Sequence, residues 1–86
     1  RIITTESYVI CNNTEKITVT LPSNPCPGRM IYVRRNHSGA VDVKTTDGSL
    51  IRKGNSNFTS HTIGEVGWTH MYIYYGGYWL INLITH

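Results

Sequence analysis

The chain has 86 residues, 40% of them hydrophobic and 15% charged, with a formal net charge of +3. That length supports one domain around one core, and a domain this small buries only roughly 60–65% of its unfolded surface, so self-association would stabilise it. The mild positive excess, grouped only at Arg29, Arg34 and Arg35 and at Arg52-Lys53, falls short of the dense basic patch of a nucleic-acid-binding domain.

The richness in Thr, Ser, Asn and Gly is that of extracellular β proteins. No apolar run approaches the roughly 20 residues of a membrane-spanning helix, so no membrane insertion is expected. No signal peptide is visible and the chain begins at Arg1. The expectation is one β domain over residues 1–86, cut from the C-terminal part of a longer protein.

Read in chain order, about eight short strands are expected. Ser7 to Cys11 is the first, ended by Asn12-Asn13. In Lys16 to Leu21, Ile17, Val19 and Leu21 alternate with Thr18 and Thr20, which places one face in the core and one in water. Pro22 stops this strand because proline cannot donate to the ladder. The loop from Ser23 to Gly28 contains two prolines that exclude helix.

Met30 to Arg35 follows, with Ile31, Val33 and Arg35 on one face and Met30, Tyr32 and Arg34 on the other. Both faces are partly apolar, so this strand is either central or has one face against another subunit. Asn36 to Gly39 is a turn, Val41 to Lys44 a short strand, and Asp47-Gly48 a second turn. Leu50-Ile51 precedes a polar loop from Lys53 to Asn57. Phe58 to Ile63 is a strand and Gly64 to Gly67 a turn. The strands Trp68 to Tyr75 and Tyr78 to Ile84 flank Gly76-Gly77, whose freedom to adopt positive φ suits a two-residue hairpin. No internal repeat is evident. The regular spacing of strands and turns argues for an all-β, antiparallel sandwich or barrel-like domain.

The ordered series Tyr8-Val-Ile, Ile17-Thr-Val-Thr-Leu-Pro22, Gly28-Arg-Met-Ile-Tyr-Val-Arg-Arg-Asn36, Ser38-Gly-Ala-Val-Asp-Val43 and Gly76-Gly-Tyr-Trp-Leu-Ile81 resembles the small β domains at the C-termini of phage tail fibres and other viral fibre or spike proteins. The resemblance implies a compact β head, assembled as a homotrimer on the remainder of a fibre. Such a head lies outside the virion and either attaches to a host surface component or seals the fibre tip. Cys11 and Cys26 depart from the pattern.

The aromatic set Trp68, Tyr72 and Tyr74, aligned on one face with His70, is the leading candidate for a ligand platform, because rings stack on sugar faces and carry a polar handle. The competing reading buries these rings in the core or a subunit interface. Trp79, which shares a face with Ile81 and Leu83, is assigned to the core. Arg34 and Arg35 could grip a carboxylate, such as that of a sialylated glycan, through a bidentate fork, or serve as a solvated strand end or an intersubunit ion pair.

Cys11 and Cys26 either form one disulfide, stabilising by ~3 kcal/mol in the chain-entropy picture, or remain thiols. No cofactor is expected. No metal is expected either, because His37, His61, His70 and His86 lack ligand spacing to either cysteine and Asp42, Asp47 and Glu65 lack a calcium-loop pattern. Three acceptor patterns for N-glycosylation occur, at Asn12, Asn36 and Asn57.

With no paired carboxylates, nucleophile elbow or Cys/His motif, the chain is not expected to be an enzyme. The expected function is attachment of a viral fibre or spike to a host glycan or protein receptor. The alternatives are a purely structural trimerising cap and a secreted lectin-like adhesin module.

Overall fold

A computed structural model describes residues 3, 5–23, 25–46 and 48–84, the last two through their backbone alone. The described residues form nine strands and no helix. The strands are β1 (Tyr8–Cys11), β2 (Ile17–Leu21), β3 (Met30–Arg35), β4 (Val41–Thr45), β5 (Ile51–Lys53), β6 (Ser56–Phe58), β7 (Ser60–Ile63), β8 (Thr69–Tyr75) and β9 (Tyr78–Ile84). They make a six-stranded sheet in the order β1-β3-β8-β9-β5-β6 and a three-stranded sheet in the order β2-β4-β7.

The all-β expectation holds, and the fold is sandwich-like with both sheets left open. The antiparallel expectation needs correction, because both sheets are mixed. β1 pairs with β3, β2 with β4 and β5 with β9 in parallel. The cause lies in the connections. After β1 the chain crosses from the large sheet to the small one, and after β3 it does so again. When the chain spends a single strand in the other layer, as between β1 and β3 and between β2 and β4, it returns in the same direction as before, whereas the two-strand excursion through β5 and β6 brings β7 back antiparallel to β4.

These crossings make an internal repeat, contrary to the reading of the sequence. Every partner in the β1–β3 and β2–β4 ladders lies 24 residues further along the chain, from Tyr8 to Tyr32 and from Ile17 to Val41. Residues 8–21 and 32–45 are thus two stacked rungs, each a strand, an arc and a strand. The arcs are bonded to each other. Asn36 Nδ2 donates to Asn12 Oδ1 at 2.7 Å, and the Gly39 amide donates to the Asn13 carbonyl at 2.9 Å. Gly39 is required here by close approach, since a Cβ would stand 2.5 Å from both Asn13 Nδ2 and the Glu15 carbonyl oxygen.

Two further differences concern the middle of the chain. The polar stretch after Ile51 is a tight hairpin joining β5 to β6, turned by Gly54 at φ +60°. The single strand expected from Phe58 to Ile63 is divided at Thr59, because β6 belongs to the large sheet and β7 to the small one. Asp47, the first residue of the expected Asp47-Gly48 turn, lies outside the described residues. The terminal hairpin is as expected, with Gly76 at φ +67° and Gly77 at +88°.

The core lies between the sheets. The small sheet contributes Val19, Leu21, Val41, Val43 and Ile63, and the large sheet contributes Val9, Ile31, Val33, Ile51, Tyr72, Trp79 and Ile81. No helix long and apolar enough to cross a membrane occurs among the described residues.

Candidate functional site

The central strands β3, β8 and β9 are seven residues or fewer, apolar on both faces, and pleated so that alternate residues point to opposite sides. Only one side is covered by described residues. Tyr72 is fully buried there, and Trp68 and Tyr74 pack against the core cluster, Tyr74 meeting Trp79 edge-on with ring centroids 5.3 Å apart. The face shared by Trp68, His70, Tyr72 and Tyr74 is therefore the inner one. Tyr72, offered above as a ligand contact, is a core residue, and the platform expected from this trio is turned toward the small sheet. Trp79 sits in the core as expected.

The uncovered side carries the other half of the same strands. One cross-strand row runs Tyr8, Tyr32, Met71, Asn82, and a second runs Met30, Ile73, Leu80, Arg52. Tyr75 and Tyr78 close the row next to the hairpin turn. The rings of Tyr8 and Tyr32 stack at 5.5 Å with an interplanar angle of 11°, and the Arg52 guanidinium carbon lies 5.7 Å from the Tyr78 ring centroid, within cation–π range. Tyr8 is 51% exposed, Ile10 56%, Met30 40% and Tyr75 65%. The strand residues of this face include two arginines, Arg34 and Arg52, and no carboxylate. The result is a flat aromatic and aliphatic surface with a positive bias. No cleft or cavity opens among the described residues.

Arg34 and Arg35 part company because they are neighbours on one strand. Arg34 points to the outer face, where its Nε donates to Asn36 Oδ1 at 3.0 Å. Arg35 points inward and is consumed by structure. Its Nε donates to the Gly39 carbonyl at 3.1 Å, Nη1 to the Ile63 carbonyl at 3.0 Å and Nη2 to the Ser38 carbonyl at 2.8 Å. This fork pins the second arc to the end of β7, so the expected carboxylate grip by the pair is not formed.

Cys11 and Cys26 are not joined by a disulfide; Cys11 is buried and Cys26 exposed. A bridge between them is excluded by the ladder. Cys11 stands opposite Arg35 at one end of β3, whereas Cys26, whose carbonyl accepts from the Arg29 amide, lies at the other end. Five residue steps along a strand separate the two ends by about 17 Å, far beyond disulfide reach. Among the acceptor asparagines, Asn12 and Asn36 are bonded to each other across the arcs and Asn57 is exposed on β6.

A second cluster lies between the sheets. His61 on β7 and His70 on β8 face each other with ring centroids 5.3 Å apart, and Phe58 and Tyr72 flank them. His61 Nδ1, both nitrogens of His70, the Tyr72 hydroxyl and the Trp79 indole nitrogen are buried without a hydrogen-bond partner. Burial lowers the pKa of His70 to about 4, helped by His61 and Lys53. Burial also lowers that of His61, with Lys53 adding to the effect and Asp42 opposing it. The Tyr72 phenol is pushed up by burial, with Asp42 contributing. Both imidazoles are thus neutral near pH 7. No group of three metal-ligating side chains comes together among the described residues.

No protein-family model matches this chain, and no curated protein matches it either.

Proposed function

We propose that the chain is the non-catalytic binding head of a viral fibre or spike, displayed outside the virion, and that it attaches to host-surface carbohydrate through the outer face of the six-stranded sheet. The observation that carries this reading is the open outer face, with Tyr8 stacked on Tyr32 toward one edge, Tyr75 and Tyr78 at the hairpin, and Arg34 and Arg52 among them. Sugar rings present apolar C–H faces that stack on tyrosine, while their hydroxyls and carboxylates take hydrogen bonds from guanidinium groups. A flat surface without a cleft suits shallow contact with an extended glycan. The fibre resemblance supplies the viral context.

The test is a glycan array followed by binding isotherms for wild type, Tyr78→Ala and Arg52→Ala. Each variant is expected to bind the selected glycan at least roughly tenfold more weakly, the size of one lost stacking or charge-assisted contact. Wild-type binding by both variants, with the β-sheet spectrum intact, would remove the outer face from the attachment reading.

A second reading is a structural cap that trimerises on a fibre, with no ligand. It is favoured by the aliphatic share of the outer face, Met30, Met71, Ile73 and Leu80, which suits a subunit interface rich in Met, Tyr and Arg. A three-chain solution mass that is lost in Ile73→Asp would support it.

A further inference from the structure

We propose that the free edge of the six-stranded sheet pairs with the same edge of a second copy of this chain, β1 against β1, about a two-fold axis through Val9. The inference is independent of what the outer face binds.

The argument begins with amide directions. The Ser7 carbonyl accepts from the Tyr32 amide at 2.8 Å, and the Cys11 carbonyl accepts from the Asn36 amide at 2.9 Å. Residues 7 and 11 therefore turn their backbone toward β3, and by the two-residue period of a strand so does Val9. Tyr8 and Ile10 turn theirs the other way, toward the open edge, and β1 is the last strand of its sheet. Two N–H and two C=O groups stand there without a neighbouring described strand.

Edges of this kind are usually guarded by lysine, proline, a bulge or a covering segment. The other three edges have such protection or are polar. On β2 the Thr20 carbonyl is taken by the Ile3 amide at 2.9 Å. β6 is Ser-Asn-Phe and β7 begins Ser-His-Thr. β1, Tyr-Val-Ile-Cys, has none of these guards among the described residues and exposes Tyr8 and Ile10 by more than half.

The edge is also complementary to itself. With two antiparallel copies related by an axis at Val9, Tyr8 of one chain stands opposite Ile10 of the other. Those are the residues whose amides point outward, so each of the two Tyr8–Ile10 pairs exchanges both backbone bonds. The two Val9 residues meet as the closely spaced, non-hydrogen-bonded pair between them. Side chains stay in phase as well. Tyr8 and Ile10 remain on the outer face, where aromatic and β-branched residues make a favourable cross-strand pair, and both Val9 side chains remain on the core side. An isologous contact of this form closes at two chains. It joins two six-stranded sheets into one and makes their outer faces continuous.

The first measurement is solution mass against concentration for wild type and Ile10→Pro. Proline at position 10 removes only an N–H directed away from β3, so no internal bond is lost. Wild type is expected at twice the 9.7 kDa chain mass, and Ile10→Pro at the single-chain mass with the same β-sheet spectrum. The second measurement does not depend on that variant. Val9→Cys, with exposed Cys26→Ser, is expected to give a disulfide-linked dimer on mild oxidation, since a non-hydrogen-bonded pair sets the Cα atoms about 4.5 Å apart. Phe58→Cys on the opposite edge is expected to give none. A single-chain mass for wild type, a three-chain mass, or a two-chain mass with no cross-link through position 9 would each overturn the proposal.

Discussion

The inner face of the six-stranded sheet buries Ile31, Val33, Tyr72 and Trp79 completely, while neighbouring residues on the same strands leave Met30 40% and Tyr75 65% exposed on the outer face. The two faces are alike in composition, both mixing tyrosine with branched aliphatics. They differ in what lies opposite. The three-stranded sheet covers one, and no described element covers the other. Apolar character on both sides of a strand is the pattern of a sheet covered twice, and here the described residues supply only one of the two covers.

The largest effect that would test the contrast is in the core. Trp79→Ala is expected to cost about 3–5 kcal/mol, the range for removing a buried large aromatic, measured as a fall in the urea unfolding midpoint. That approaches the whole stability of a small domain. A loss below about 1 kcal/mol would mean that the inner face is not packed as described.

Acid gives the next largest effect and acts on the seam between the sheets. In the unfolded chain His70 binds its proton near the ordinary value of 6.5, but in the folded protein only near 4. Between these values the unfolded state holds more protons, so stability falls as pH drops from about 6.5 to 4 and the contribution levels off below. The full loss from His70 is on the order of 3 kcal/mol, and His61 acts in the same direction. Unfolding midpoints measured from pH 7 to pH 4 are expected to fall more steeply for wild type than for His70→Phe. An equal slope in both would show that His70 does not contribute to the acid response.

The smallest effect belongs to the outer face. Tyr75→Ala is expected to change stability by less than about 0.5 kcal/mol, as for an exposed side chain away from any special contact. A loss comparable to that at Trp79 would erase the distinction between the faces.

The strands were legible because alternation is a local signal, and Met30 to Arg35 and Tyr78 to Ile84 fall where the pattern puts them. The same alternation sorts residues into two faces without saying which is inside, and that is why Trp68, Tyr72 and Tyr74 are grouped correctly yet point to the core. The parallel rungs were hidden because their repeat is marked by few identities, chiefly Tyr8 with Tyr32, Val9 with Val33, Asn12 with Asn36 and Val19 with Val43. The role of Arg35 was hidden too, because the carbonyls it binds at Ser38, Gly39 and Ile63 are assembled by the arc and by β7, which no motif around Arg35 foretells.

The strand order has a consequence for how the protein is made. β8 and β9, the last of the nine described strands in chain order, occupy the middle of the large sheet, with β3 on one side and β5 on the other. The first rungs can stack during synthesis, and β5 can pair with β6, but β3 and β5 each wait for a second partner until the terminal hairpin emerges. A nascent chain therefore exposes one apolar edge of β3 and one of β5 until that hairpin is made, the condition in which aggregation competes with folding. Slowing elongation would prolong that exposure, and supplying residues 69–84 as a separate peptide would be expected to rescue a chain halted before them.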